Sequence, residues 1–341
     1  MTNSYRVSIV IGLMCLACAP KLPAAGVPAK EEKLDAYAEW RKGDTLIVDG
    51  QRVRWQPKAK FKGAGAAKDF ASVPLGYEAV VKGTRQPDGS ILASELQVKP
   101  NGTQAFENDV KNATAEMEAK WVKAGHIIEQ DQNGKDVDQG KLHTSGPDVD
   151  RVRGIVGRLV PPYLKASDFR VYVAENKDWN AFACANGMIV VYDSLLNATN
   201  DDEMAIVLGH ELTHATHEHS RKQYSSSMKV GLVGLVVGAA LAGKDSSKAA
   251  QAAALGSQLT FSAIQNGYGR DKEDQADRVG LRYAYEGGFD VRQGPTLWNR
   301  FAEKYGSQDA VSNFFFGDHS RAETRAKNLT AEIALNYPTA K

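Results

Sequence analysis

Five side chains in this sequence have the types and spacing to hold a metal ion and move a proton. His210, Glu211 and His214 stand together in "GHELTH". Two histidines four residues apart on a helix share a face one turn apart, so both imidazoles can reach a single zinc ion at about 2.0–2.1 Å. Glu211 points to a different side. It is badly placed to ligate that ion and well placed to take a proton from a water beside it. His217 and His219 follow closely, yet neither suits a third ligand position on a continuing helix. His217 lies about 10.5 Å along the axis from His210, and His219 is turned roughly to the opposite face. Both read as structural or supporting residues. The longer H-E-x-x-H-x-x-G-x-x-H motif would place its third histidine at position 220, which is Ser220.

The third ligand must then come from another element. "YGRDKEDQADRVG" offers Glu273 and Asp277 one turn apart, with Ala276, Gly280 and Ala284 continuing that side as small residues. Such a helix can pack closely on another. Glu273 completes a His₂Glu donor set that leaves a fourth position to water, and Asp277 can accept the free ring N–H of a ligating histidine and fix its tautomer. An exposed acidic helix surface is the competing reading, since Asp271 and Asp274 lie in the same stretch. Taken with the first motif, the ligand reading is favoured.

These residues need elements to carry them. Asn200 followed by Glu203 is the pattern of a capping box, and it predicts a helix from Asp201 through His219 with Met204, Val207, Leu208 and Leu212 on its apolar face. "FRVYVAE" and "GMIVVYDSL" read as strands, and "VDRVRGIVGRLVPPYL" as an amphipathic helix ended by Pro161 and Pro162. Residues 146–341 are therefore expected to form a mainly helical domain with a small sheet. The apolar stretch 228–243, "MKVGLVGLVVGAALAG", is shorter than a typical spanning helix. It reads as a helix packed on the domain or a cover over the cleft, with insertion into a membrane surface as the alternative.

Ahead of that domain, residues 35–100 alternate short β-rich runs with turns at Asp49-Gly50 and Asp88-Gly89. They predict a small all-β, barrel-like module. It carries no cluster of histidine, cysteine or paired carboxylates, so a stability or docking role is favoured over a binding site for a partner. Residues 101–145 read as a helical linker, with Val110, Ala113, Met117 and Trp121 docking one face, followed by the polar loop "DQNGKDVDQGK". That loop lacks the offsets of a calcium loop. His126 and His143 read as surface residues. The fold class expected for the whole is α+β.

Residues 1–18 hold one positive charge and then an apolar run of secretory-signal length. Residues 19–34 read as a tether rich in proline, alanine and charge. Two cleavage readings stand side by side. Processing before Cys18 would give a lipoprotein attached to a membrane through that cysteine; cleavage near "LPAAG" would release a free protein. Three cysteines, Cys15, Cys18 and Cys184, leave no room for a disulfide framework. Of the 341 residues 24% are charged, and the formal net charge is +1, which argues against a nucleic-acid partner.

"HELTH" followed by "EDQAD" resembles the gluzincin zinc metallopeptidases of the HtpX and CAAX-prenyl-protease type, in their soluble periplasmic branch. The resemblance covers roughly residues 146–341. It implies a zincin-type domain, one Zn²⁺ per chain and endopeptidase activity. It also implies that "AFACANGMIVVYDSLL" supplies the strand whose edge holds the substrate backbone, with Ala183, Cys184, Ala185 and Asn186 near the scissile bond. Cys184 there reads as a small buried residue rather than a redox switch. The family's last motif is His-Pro with an arginine a few residues on. In "DHSRAETRAKNL" His319 and Arg325 correspond, while Ser320 replaces the proline and forms its own capping box with Glu323. His319 would stand at a helix N-terminus and stabilise an oxyanion. The implied substrates are unfolded or misfolded proteins of a bacterial periplasm or cell envelope. Two other readings compete: a chaperone-like scaffold with a structural or latent zinc site, and a wall-binding module with a vestigial helical domain. The intact Glu211 argues against a structural site.

Overall fold

The computed structural model describes residues 31–100, 105–130, 135–161, 164–184, 186–217, 219, 270–305 and 322–337. The expected leader with Cys18, most of the expected tether, Ala185, the apolar stretch 228–243, His319 and Ser320 lie outside the described residues. None of the described helices is long and apolar enough to cross a membrane.

The first unit is a closed five-stranded barrel: β1 (Glu31–Lys42), β2 (Thr45–Val48), β3 (Gln51–Gly63), β4 (Glu78–Arg85) and β5 (Ile91–Lys99), in the order β1-β2-β3-β5-β4. All neighbours are antiparallel except β3 and β5. Asp49 and Gly50 both take positive φ in the β2–β3 turn, the backbone a two-residue hairpin of that type demands. Alternate residues such as Leu46, Val48, Val53, Val81, Ile91 and Leu96 fill the interior. The expected tether is corrected at its end. Residues 31–34 are strand, because Leu34 pairs with Val81 and alternates with charged neighbours as β1 closes the barrel on β4.

The expected linker is corrected as well. Helix α1 (Ala105–Ala124) is followed by β6 (His126–Gln130) and β7 (Asp136–His143), a hairpin that adds to the second sheet. The polar run thus contributes a strand, since Leu142 and His143 pair with the next strand. Trp121 is buried and Met117 packs beside it, as helical spacing predicts. His126 and His143 are surface residues paired with Asp138 and Glu175.

The second sheet has the order β6-β7-β8-β10-β9, with β8 (Arg170–Ala174), β9 (Ala181–Ala183) and β10 (Met188–Tyr192). β10 runs parallel to β8 and antiparallel to β9, which forms the sheet's edge. One face carries α1. The other carries α2 (Pro147–Leu159), α3 (Asp193–Ala198), α4 (Asp201–Thr216), α5 (Arg270–Glu286), α6 (Gln293–Tyr305) and α7 (Ala322–Asn336) around the largest core. The fold is α+β.

Helix α4 lies at the centre of this core, with every residue from Glu203 to His214 buried. Its predicted capping box forms: the Asn200 side chain accepts from the Glu203 N–H, and Glu203 accepts from the Asn200 N–H. The helix stops at Thr216, with His217 as its C-cap, rather than running on to His219. The crossing of α4 and α5 is set by two glycines. A Cβ on Gly209 would meet the Gly280 carbonyl oxygen at 2.4 Å, and one on Gly280 would meet the His210 nitrogen at 2.4 Å. Only residues without a side chain allow the backbones this close.

Candidate metal centre

That crossing brings the predicted donor set together. His210 and His214 face each other from successive turns of α4, and Glu273 reaches them from the first turn of α5. One donor atom from each lies within 4.8 Å of the others, and all three residues are buried. The Nε2 atoms of the histidines are 2.9 Å apart, and the Glu273 carboxylate oxygens stand 3.3 Å from His210 Nε2 and 3.5 Å from His214 Nε2. Ligands at about 2.0–2.2 Å on a tetrahedron have edges of about 3.3–3.6 Å. The two Glu273 edges have this length, and the His–His edge is a few tenths short. Two imidazoles and one carboxylate form a donor set suited to zinc.

Each histidine is held from behind. His210 Nδ1 lies 2.9 Å from Asp277 Oδ1. Asp277 also receives Arg325, whose Nε is 2.9 Å from Oδ2 and whose terminal nitrogen is 2.5 Å from Oδ1. Burial works against the Asp277 charge, but Arg325 and His210 outweigh it and hold the carboxyl below the usual range. The Arg325 guanidinium is itself 1% exposed and stacks 3.5 Å over the Trp298 ring. Arg325, expected in the catalytic set, therefore meets the site through Asp277 and also directly, with a terminal nitrogen 2.8 Å from His210 Nδ1 and another 3.9 Å from a Glu273 oxygen.

His214 is backed by a residue that helical spacing places elsewhere. Because α4 ends at Thr216, the chain turns and returns His219 to the site, with its Nδ1 2.9 Å from His214 Nδ1. Its Nε2 lies 2.8 Å from Gln275 Oε1, and burial pushes the His219 pKa down to about 3. The supporting role expected for His219 is the one it has, on a face that helical spacing did not give it, while Gln275 was missed. The only signal for Gln275 is an uncharged polar residue between Glu273 and Asp277. His217 instead packs edge-on against Tyr37 of the barrel, 4.9 Å between ring centroids.

Glu211 stands beside the donors, with a carboxylate oxygen 4.0 Å from His210 Nε2. Its other oxygen accepts the Ala183 N–H at 3.1 Å. Burial, with the Glu273 charge nearby, pushes its pKa up to about 7. On the edge strand, Phe182 pairs with Val190 of β10 and the Cys184 N–H donates to the Met188 carbonyl. By strand alternation the backbone groups of Ala181 and Ala183 point away from β10, toward the sheet's edge, where both residues are buried. The predicted substrate strand thus divides. Ala183 lies on the α4 side, while Cys184 belongs to the core beneath α1. The Asn186 amide donates to Glu118 at 2.6 Å and its carbonyl accepts the Met188 N–H. Cys184 is buried, and that burial raises its thiol pKa.

Comparison with known sequences agrees with this geometry. The model of peptidase family M48 matches residues 148–333. The chain belongs to this family. It is 30% identical over 193 residues to the mitochondrial metalloendopeptidase OMA1 of Bos taurus, covering 52% of this chain and 36% of that protein. It is 30% identical over 143 residues to the beta-barrel assembly-enhancing protease of Yersinia pestis, covering 40% and 29%. With the metalloprotease YcaL of Escherichia coli (strain K12) it shares 30% over 175 residues, covering 49% and 62%. The chain thus spans about a third of the length of the first two relatives and under two thirds of the third. The barrel, Glu31–Lys99, falls outside the family match.

Proposed function

We propose that this family member is a zinc-dependent endopeptidase, with His210, His214 and Glu273 as the ligands of one Zn²⁺ and Glu211 as the proton-transfer group. The observation that carries the reading is Glu211 itself: a buried carboxylate beside the three donors, tied to the sheet's edge strand, in a place a purely structural site does not need filled. Zinc held there supplies Lewis acidity, polarising a peptide carbonyl and lowering the pKa of water. Glu211 takes the proton of the attacking water and passes it to the leaving amine. Asp277, with Arg325 behind it, accepts the His210 Nδ1–H and keeps the Nε2 lone pair toward Glu273. The outward backbone groups of Ala181 and the Ala183 carbonyl, with the Ala183 N–H held by Glu211, pair with an extended segment and carry its scissile bond past Glu211. Main-chain pairing of this kind reads little side-chain detail, which suits unfolded chains.

Support for the setting comes from the relatives, one of which is named for β-barrel assembly. Proteolysis of unfolded or misassembled proteins in a bacterial periplasm or envelope is the corresponding proposal here, with membrane attachment through a lipidated Cys18 as its anchored form.

The test is casein cleavage by the purified chain beside Glu211→Gln, with zinc content measured in both. Zinc in both proteins, and a loss of roughly 10²–10⁴-fold in rate confined to the variant, is the expected result. Zinc in both with no cleavage by either would favour the scaffold reading. No zinc in the wild type would remove the metal reading.

A further inference from the structure

We propose that the N-terminal barrel is part of the metal centre's support, with Glu39 and Gln275 as positioning residues that act through His219 to orient His214. This rests on the reading of His210, His214 and Glu273 as metal ligands.

The observations begin in the barrel. Ala38 pairs with Val48 and Trp40 with Ile47, so Glu39 is an extra residue in β1, a β-bulge. Bulges re-aim side chains, and here the glutamate leaves the barrel wall and is buried against α5. It is 5% exposed, as is Gln275, while His219 and His214 are each 1% exposed. Glu39 accepts the Gly50 N–H at 2.9 Å, Gln275 Nε2 at 2.6 Å and an Arg278 nitrogen at 3.2 Å. The glycine lets the β2–β3 turn seat on Arg278: a Cβ there would meet the guanidinium at 2.8 Å.

Hydrogen-bond polarity then follows step by step. A carboxylate only accepts, so Gln275 turns its NH₂ to Glu39 and its carbonyl oxygen to His219. That oxygen accepts the His219 Nε2–H at 2.8 Å. The neutral ring keeps its lone pair on Nδ1, which accepts the His214 Nδ1–H at 2.9 Å. His214 is left with a lone pair on Nε2, the atom that faces Glu273 at 3.5 Å. The chain of bonds starts on an element outside the matched family region and ends by fixing the tautomer of a proposed ligand. It also gives the barrel, which has no site of its own in the sequence, a chemical task.

The experiment measures zinc affinity by competition with a chromophoric chelator, and the visible spectrum of the Co²⁺-loaded protein, for the full chain. The variants are Gln275→Ala, Gln275→Leu, Glu39→Ala, Glu39→Gln and the Glu39→Ala/Gln275→Ala double, each checked by circular dichroism. Loss of the outer support of a ligand lowers metal affinity by roughly 10–100-fold, and that loss is expected for Gln275→Ala. Glu39→Ala should lower affinity in the same direction, and Glu39→Gln, which keeps an acceptor, should restore it. The double variant should fall short of the sum of the singles, because the two residues act along one path. Co²⁺ bands that shift in the Ala variants and return in Glu39→Gln would separate positioning from packing. Wild-type affinity and spectrum in a folded Glu39→Ala protein, or strict additivity, would overturn the proposal while leaving the metal reading standing. Should Glu39→Ala not fold, Glu39→Gln against Gln275→Leu carries the same comparison. A wild type that binds no zinc would instead sink the underlying metal site.

Discussion

The two histidines of α4 are supported in opposite ways. His210 rests on a buried ion pair, Asp277 with Arg325, drawn from α5 and α7 within the family region. His214 rests on a neutral ring and an amide, His219 and Gln275, which lead out to Glu39 in the barrel. Both arrangements turn Nε2 toward Glu273. The difference lies in what breakage costs. A buried charge stripped of its partner is expensive, whereas a neutral hydrogen bond that is lost costs far less. One histidine is therefore secured by the stability of the domain, and the other by a contact that depends on a second module.

The largest effect is expected where both supports share a foundation. Gly280→Val drives a side chain into the α4 backbone at His210, where even a Cβ is 2.4 Å from the nitrogen. Overpacking of this kind costs about 1–3 kcal/mol where neighbours yield, and more where, as here, the neighbour is backbone. Stoichiometric zinc binding should be lost together with the cooperative thermal transition. Zinc retained at full stoichiometry would mean that the helix crossing does not set the donor geometry.

Next in size is Asp277→Ala, which leaves the Arg325 guanidinium buried without its main partner. A loss of about 3–5 kcal/mol is expected from chemical denaturation. Asp277→Asn with Arg325→Met should recover part of it by removing the stranded charge. Gln275→Ala should cost about 1–3 kcal/mol, the penalty for leaving buried polar groups of Glu39 and His219 unsatisfied. Equal losses for Asp277→Ala and Gln275→Ala would erase the distinction between the two supports.

How much of this could be read in the sequence follows the same division. The donor set was legible because its spacing is local: His210 and His214 share one helix, and Glu273 and Asp277 another. The glycine and alanine stripe of α5 gave the close packing, and Asn200 with Glu203 gave the start of α4. The barrel showed in the turns at Asp49-Gly50 and Asp88-Gly89. Three things were not legible. His219 was placed on the wrong face because a helix was extended past Thr216, where it ends. The β6–β7 hairpin was read as linker and loop because its polar residues, with one face toward solvent, give a weak alternating pattern. Glu39 stands in an ordinary run of alternating residues, and a bulge is a property of two paired strands that one strand's sequence does not announce.

Removing the metal offers a finer comparison. An ion that binds only the folded chain stabilises it by about 4 kcal/mol at a thousand times its dissociation constant. Stripping zinc with a chelator should therefore lower the melting temperature of the wild type, and lower that of Gln275→Ala by less, since tenfold weaker binding gives up about 1.4 kcal/mol of that linkage. Equal shifts in the two proteins would show that Gln275 matters to packing and not to the ligand it supports.

The smallest effect expected is also the most discriminating. Trp40 seats the barrel without touching the hydrogen-bond chain: the Arg282 guanidinium lies 4.3 Å over its ring, and Tyr337 stacks on it at 5.7 Å. Trp40→Leu keeps an apolar side chain and removes the aromatic face, a change of about 1 kcal/mol by the usual worth of cation–π and aromatic contacts. A drop of that size in stability with zinc affinity unchanged is the expected result, because Glu39 still reaches Gln275. If zinc affinity falls as far as in Gln275→Ala, any loosening of the barrel disturbs the site. The support of His214 would then lie in the seating of the whole module rather than in the path through Glu39, Gln275 and His219.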